Sequence, residues 1–523
     1  MMQSTEILDK EKYTHQKLCS HGAETQTIIA ENIWFHNLLL TNNIKDESYT
    51  ANWLHEIKHF SKFLGSMIVA FPVGLIKRKQ LRKNKQLSFI LQFPELIPVR
   101  NNIEKGSFAY DTLLFKQSGF QLLLNKSHLA NLVCLAILFG DEFIDGLAFE
   151  CGKKNIRKIL QDESINCNLQ YRVVDTRFEL FYAFDIRKVL PGNTLNTINE
   201  KYKITYNQFY DHLLFLLNEM NVYLNKLKPA LQEQAAQLIC KICNNCFDTY
   251  RMDIAKFHPE YSLQDLMNYF NKKDDDIIHS LLELRAVLWN KNTKEYFAQF
   301  NSWSTIVRSM QVYDDMEDAA EDLNYQMNFL CYFAKRFFDK EWQWLQQESE
   351  SLKGLPALQR NFMISMFMPN AVIACKAYAK NIVFQNLNWV QKKIAGYLWK
   401  KNRLGWNHKK MMPGVDVFSS FAMYPCNSYE KVLLIHNTVF EHKSTFISDT
   451  EKHAHVLDTA LFDPMLKNHL LKFLPKKEAY FLSHHFFDYP ANKKAAFAQK
   501  WMAHLQQECA EYILENASQF YVV

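Results

Sequence analysis

The chain has 523 residues, with 61 Lys and Arg against 55 Asp and Glu, a formal net charge of +6, 48% hydrophobic residues and 14% aromatic ones. Gly and Pro number 13 each, about 2.5% apiece where ~7% and ~5% are usual, so turn-rich sandwiches, propellers and barrels and sheets opened by a Gly-rich loop are disfavoured and an all-α fold is expected. The mild charge gives no sign of a nucleic-acid partner, and the 11 cysteines, without a framework of close spacings, point to reduced thiols in a cytoplasmic setting.

In chain order, residues 1–60 mix polar and apolar positions at helical spacing without an apolar signal core, and are read as an N-terminal helical extension. The apolar stretch from Phe63 to Ile76 contains Pro72 and falls short of the ~20 residues of a membrane-spanning helix. Directly after it come Lys77, Arg78, Lys79, Arg82, Lys83 and Lys85. Residues 63–85 thus offer a means of peripheral contact with an anionic membrane surface, although a buried helix followed by a solvated basic loop is the plainer reading.

From about residue 120 the apolar spacing predicts long helices over roughly 121–150, 206–228, 231–256, 277–300, 303–338 and 357–400, the body of a helical core assigned to residues 61–400. The first ends in Asp141, Glu142 and Asp145, three carboxylates that share one side of a continuing helix. Such acids at the end of an apolar helix repel one another and oppose the helix dipole, so a cation is expected to compensate them. Cys240, Cys243 and Cys246 in the 231–256 helix do not converge on a point and read as small buried hydrophobes. Within the 303–338 helix, Asp314, Asp318 and Asp322 recur at every fourth residue, with Asp315, Glu317 and Glu321 beside them and no Lys or Arg between. A solvated helix face ordinarily alternates its charges; this one suits hard cations such as Mg²⁺, which take one or two carboxylates together with water and phosphate oxygens. Residues 401–523 gather Pro, Gly and His, including His436, His442, His453, His455, His484 and His485, and read as a separate, more irregular C-terminal extension whose histidines are structural.

At the two acidic segments the chain resembles the class I isoprenoid (terpene) synthase superfamily, and in particular large bacterial terpene synthases. Asp141-Glu142-Phe143-Ile144-Asp145 resembles the DDxxD motif with Glu in second place. Gln311 to Asp318 resembles QxxDDxxD of chain-elongating enzymes, while Asp314, Asp318 and Asp322 occupy the ligand places of the terpene-cyclase motif (N/D)DxxSxxxE. The resemblance implies a class I isoprenoid synthase-like helical bundle with N- and C-terminal helical extensions. It implies three Mg²⁺ ions held by Asp141, Glu142 and Asp145 on one helix and Asp314, Asp315, Asp318 and Asp322 on the other, with Asp141, Asp145, Asp314 and Asp318 as the catalytic residues.

The implied activity is that of a Mg²⁺-dependent terpene synthase, a lyase of isoprenoid biosynthesis that ionises a prenyl diphosphate to a carbocation, releases pyrophosphate and forms a cyclic or linear terpene. Aromatic faces would suit such a cation without quenching it. No arginine pair follows Asp145 and no Gly-Gly-Lys-Arg patch precedes it, which favours a single-substrate enzyme over chain elongation. The downstream Arg-Tyr pair is also missing, leaving Arg285, Arg308, Lys335 and Arg336 as candidates for binding the substrate diphosphate. The alternatives are a prenyltransferase of the polyprenyl or squalene/phytoene synthase type, a helical nucleotide pyrophosphohydrolase, and a non-catalytic helical interaction protein.

Overall fold

The computed structural model of the chain describes Glu31, Trp34, Phe35 and residues 126–151, 168–255, 261–323, 327–386, 427–485 and 489–515, apart from 184, 189, 191, 200–202 and 445. The described part is mostly helical. The basic segment 63–85 and the boundaries expected near residues 60 and 400 lie outside the described residues. Two units are distinguished, one of residues 50–308 and 324–327, the other of residues 1–49, 309–323 and 328–523.

The first unit opens with α1 (His128–Cys151), whose apolar face is buried from Leu129 to Leu147. A hairpin follows, β1 (Leu169–Val174) antiparallel to β2 (Arg177–Tyr182). Its two-residue turn has Asp175 at φ 46° and Thr176 at φ 66°, the left-handed pair that matches strand twist. The short pair β3 (Ile198–Asn199) and β4 (Ile204–Thr205) leads into α2 (Tyr206–Leu224), which Thr205 and Gln208 start with a reciprocal capping box. Helix α3 (Pro229–Ala255) has Pro at its first position, where no helical N–H is needed. Three helical asparagines hold the hairpin by its backbone. Asn221 accepts from the Leu180 N–H and donates to its carbonyl, Asn225 does the same to Phe178, and Asn244 to Leu169.

Phe139 of α1 stacks on Phe209 of α2 at 4.1 Å between ring centres, and Gly146 lets the same helices close further along. A Cβ at 146 would stand 2.7 Å from the Tyr206 hydroxyl and 2.8 Å from Asn199 Nδ2, two buried groups joined by a 3.2 Å hydrogen bond. Gly146→Ala is therefore expected to lower stability by about 1–2 kcal/mol net, overpacking outweighing the better helix propensity of Ala. Urea unfolding checks this; a midpoint equal to or above wild type would mean that the Tyr206–Asn199 pair yields freely.

Ser262 and Asp265 cap α4 (Leu263–Phe270), which passes through a π-helical turn, Asn271–Asp276, into α5 (Ile277–Leu288). Asn290 at φ 53° ends α5 well short of the expected residue 300. Helix α6 (Phe297–Asp322) contributes residues 297–308 to the first unit and 309–322 to the second.

In the second unit, Asn328 begins α7 (Phe329–Phe337) by accepting from the Cys331 N–H, so the single helix expected over 303–338 is two. Helices α8 (Asp339–Lys353), α9 (Ala357–Phe367) and α10 (Pro369–Asn386) follow. The helix expected over 357–400 bends by 105° between α9 and α10. Pro369 is the cause, since it disfavours helical geometry at Met368, found at φ −124° and ψ 49°. Glu341 secures the new start: one oxygen accepts from the Asn370 N–H and side-chain amide, the other from the Ala371 N–H. No single helix among the described residues is long and apolar enough to cross a membrane.

The tail, expected to be irregular, is helical where described: α11 (Asn427–Glu441), α12 (Asp449–Ala460), α13 (Pro464–Phe473), α14 (Lys476–His485) and α15 (Ala491–Glu515). Its core gathers Val456 and Leu457 of α12, Leu466 and Leu470 of α13 and Trp501 of α15, with Phe362 and Met366 of α9. Much of the aromatic surplus goes into packing; Phe35 stacks on Phe337 at 4.0 Å and meets Phe333, Phe338 and Phe446.

Candidate functional site

On α1, Asp141 is exposed and Glu142 half-buried; Asp145 follows on the same helix, one turn beyond Asp141. Asp141 lies near Cys246 of α3, whose thiol is held well above its ordinary range by burial, then by Cys243, Asp141 and Cys134. Burial likewise pushes the thiols of Cys240 and Cys243 up to about 12. Thiols so protonated are packing groups rather than nucleophiles or ligands. Cys134, Cys331 and Cys375 are also free thiols, whereas Cys509 is disulfide-bonded, an exception to the expectation of reduced cysteines throughout.

The second acidic segment forms the last three turns of α6 and splits by direction. Asp315 is buried at 2% exposure. It accepts from the Phe329 N–H at 2.7 Å and from Gln311 Nε2 at 3.1 Å, while Asn328 donates to its backbone carbonyl at 2.7 Å. This carboxylate anchors the N-terminus of α7, a structural task that sets it apart from the other metal ligands implied by the resemblance. Asp314 is exposed, and Asp318 and Asp322 are half-buried along the adjoining side.

Asp318 keeps 39% of its side chain exposed and is the electrostatic centre of the row. Partial burial, and then the carboxylates of Asp314, Asp322 and Glu321, push its carboxyl up to about 8, against the pull of Arg360. The row also lies at the negative end of the α6 dipole, which adds to the cost of ionising it. Asn328 Nδ2 donates to Asp322 at 3.0 Å. Arg360 of α9, 9% exposed, forms an ion pair with Glu321 and stands 3.7 Å from Asp318.

The four cations expected to bind a diphosphate have other partners. Arg285 is buried and donates to Asn131 of α1 at 2.7 Å. Arg308 donates to Asn271 at 2.7 Å and pairs with Asp275. Lys335 lies over the Trp342 ring at 5.9 Å, and Arg336 pairs with Glu31 at 2.7 Å. Each is engaged in holding helices together. Arg360, which sequence spacing did not single out, is a cation that meets the acidic row; it lies 42 positions beyond Asp318 and only the fold brings them together.

As placed, no three His, Cys, Asp or Glu side chains among the described residues converge closely enough to hold a metal ion. The donor chemistry of the row nevertheless suits Mg²⁺, which needs one or two carboxylates from a protein and takes its remaining ligands from water and phosphate. Comparison with known protein families, with curated proteins and with solved structures returned no match.

Proposed function

We propose that the chain is a Mg²⁺-dependent class I terpene synthase, ionising a prenyl diphosphate and releasing pyrophosphate, with Asp314, Asp318 and Asp322 of α6 as its metal-binding row. One observation carries the reading: the three carboxylates of Asp314, Asp322 and Glu321 crowd Asp318 until it resists ionisation near neutral pH, with Arg360 an opposing charge beside them. A divalent cation would relieve that crowding and, when bound, would supply the Lewis acidity that makes a diphosphate a better leaving group. Asp318 bridges its two neighbours one turn away on each side. Arg360 fixes Glu321 and steadies the row, and its guanidinium suits a phosphate oxygen as well as a carboxylate. Asp141, Glu142 and Asp145 enter by resemblance as the second acidic set.

The test is pyrophosphate release from geranyl, farnesyl and geranylgeranyl diphosphates with and without Mg²⁺. Release is expected to depend on Mg²⁺ and to fall by at least about 100-fold in Asp314→Asn and Asp318→Asn, with unfolding of both variants unchanged. A well-folded wild type that releases none from any chain length would sink the synthase reading. Metal binding has its own signature. A carboxyl with a pKa of about 8 is mostly protonated at pH 7, so Mg²⁺ is expected to displace about one proton there and almost none at pH 9.5. Calorimetry in buffers of different ionisation enthalpy reads this, and Asp318→Asn should abolish it.

A second reading, an acidic row that is structural in a non-catalytic helical protein, is favoured by the Arg360 ion pair with Glu321 and by the role of Asp315 in capping α7. It expects no Mg²⁺-linked proton release.

A further inference from the structure

Two histidines of the second unit come together from neighbouring helices. His436 of α11 and His453 of α12 are half-buried, with ring centres 5.4 Å apart and planes inclined at 56°. Phe440, one turn after His436, packs against both. It stacks on His436 at 4.4 Å and makes a T-shaped contact with His453 at 4.6 Å, so the pair is held by more than its own polar atoms.

The Nδ1 atoms set the tautomers. His453 Nδ1 lies 2.8 Å from the Asp449 backbone carbonyl, which can only accept, so Nδ1 carries the hydrogen and Nε2 the lone pair. His436 Nδ1 stands 3.4 Å from Asn437 Oδ1, a longer contact of the same sense. Neither Nε2 meets a hydrogen-bond partner among the described residues. An imidazole that donates from one nitrogen to a protein oxygen and keeps a lone pair on the other is in the form that ligates metal ions. Burial, aided by His453 and opposed by Asn437, holds the His436 ring below its usual range, which keeps it neutral and able to ligate near pH 7.

The separation selects the ion. With metal–nitrogen bonds of about 2.0–2.1 Å, two imidazoles on a tetrahedral ion have ring centres about 5.2 Å apart, whereas the right angle of a square-planar or octahedral ion brings them to about 4.5 Å. The observed 5.4 Å agrees with the tetrahedral case. We propose that His436 and His453 bind Zn²⁺ through their Nε2 atoms, with water in the remaining positions. Only two protein donors are needed, so the site differs from a centre of three or more, which the described residues do not form as placed. The nearby cation, Lys452, lies 5.7 Å from the Phe440 ring centre and is tied to the His442 carbonyl at 2.7 Å, with Asp449 as its countercharge. Mg²⁺ prefers oxygen ligands, and the inference stands whether or not the α6 row holds it.

The experiment is calorimetric titration of the full chain with Zn²⁺ at about pH 7.5, with excess Mg²⁺ present to occupy oxygen-lined sites. His436→Gln and His453→Gln should each weaken one equivalent of Zn²⁺ binding by about tenfold or more, while Asp318→Asn and His504→Gln leave it in place, which separates the site from the acidic row and from the surface pair of His504 and Glu508. Binding should fade below about pH 6 as the imidazoles protonate. In the wild type, Zn²⁺ should also protect His436 and His453 from modification by diethyl pyrocarbonate, a readout that needs no variant. Absence of Zn²⁺ binding, undiminished binding by both glutamine variants, or no protection of these two histidines overturns the proposal.

Discussion

Asp458→Ala is expected to destabilise the second unit by about 3–5 kcal/mol, because it leaves the buried Lys494 and the half-buried Lys376 without the carboxylate they share. Burial alone would raise the Asp458 carboxyl; Lys376 and Lys494 more than reverse that and hold it below the usual carboxylate range. Its stabilising contribution is therefore fully present above the unfolded pKa near 4 and is lost as pH falls through the lower folded value. Asp458→Asn, which keeps the shape and removes the charge, should recover only part of the loss. Urea unfolding at pH 7 measures both, and a cost below about 1 kcal/mol for the alanine variant would show that the lysines rehydrate or find other acceptors.

A second large effect belongs to pH. Glu341 is 1% exposed, and burial pushes its carboxyl up to about 7 although the N–H groups of Asn370 and Ala371 and the Asn370 side chain pull the other way. A carboxyl raised on folding contributes stability below its unfolded pKa of about 4.5, and this is lost as pH rises through 7. The stability of wild type minus that of Glu341→Gln should accordingly fall by about 3 kcal/mol between pH 4.5 and 8. Only the difference is diagnostic. His455, depressed to about 3 on folding, works in the opposite direction, its contribution lost as pH drops below 6.5. Urea titrations of the two proteins across this range, with a chelator present, provide the curve; a constant difference would mean that Glu341 ionises in the fold as readily as in water.

The helical character was legible because it is a sum over many positions: few Gly and Pro, and apolar residues at three- and four-residue spacings. The interruptions were less so. Pro369 is a visible breaker whose effect the long apolar run around it concealed, whereas the gap before α7 depends on Asn328 reaching Asp315 and Cys331, contacts that periodicity does not encode. The hairpin of β1 and β2 was missed although Arg172 to Glu179 alternates weakly; its stability rests on asparagines 41 to 75 positions away. Much the same holds for the acidic segment. Spacing put Asp314, Asp318 and Asp322 in a row, but which neighbour turns inward is decided by where α7 begins, and the resemblance alone ranks Asp315 equally with them. Arg360, Lys376 and Lys494 look like any surface cation in a sequence; burial and partners alone distinguish them.

The asparagines that grip the hairpin have a consequence for solubility. A two-stranded sheet exposes hydrogen-bonding groups on its outer margins, where another chain can add as a strand and begin an aggregate. At Phe178 and Leu180 on one margin and Leu169 on the other, a side-chain amide already occupies both the N–H and the carbonyl, as a neighbouring strand would. Those positions are closed to recruitment without any third strand being built. Conversion of any of these asparagines to aspartate would set a negative oxygen against a carbonyl oxygen in place of a donor, reopening the margin there and making the hairpin a template for self-association.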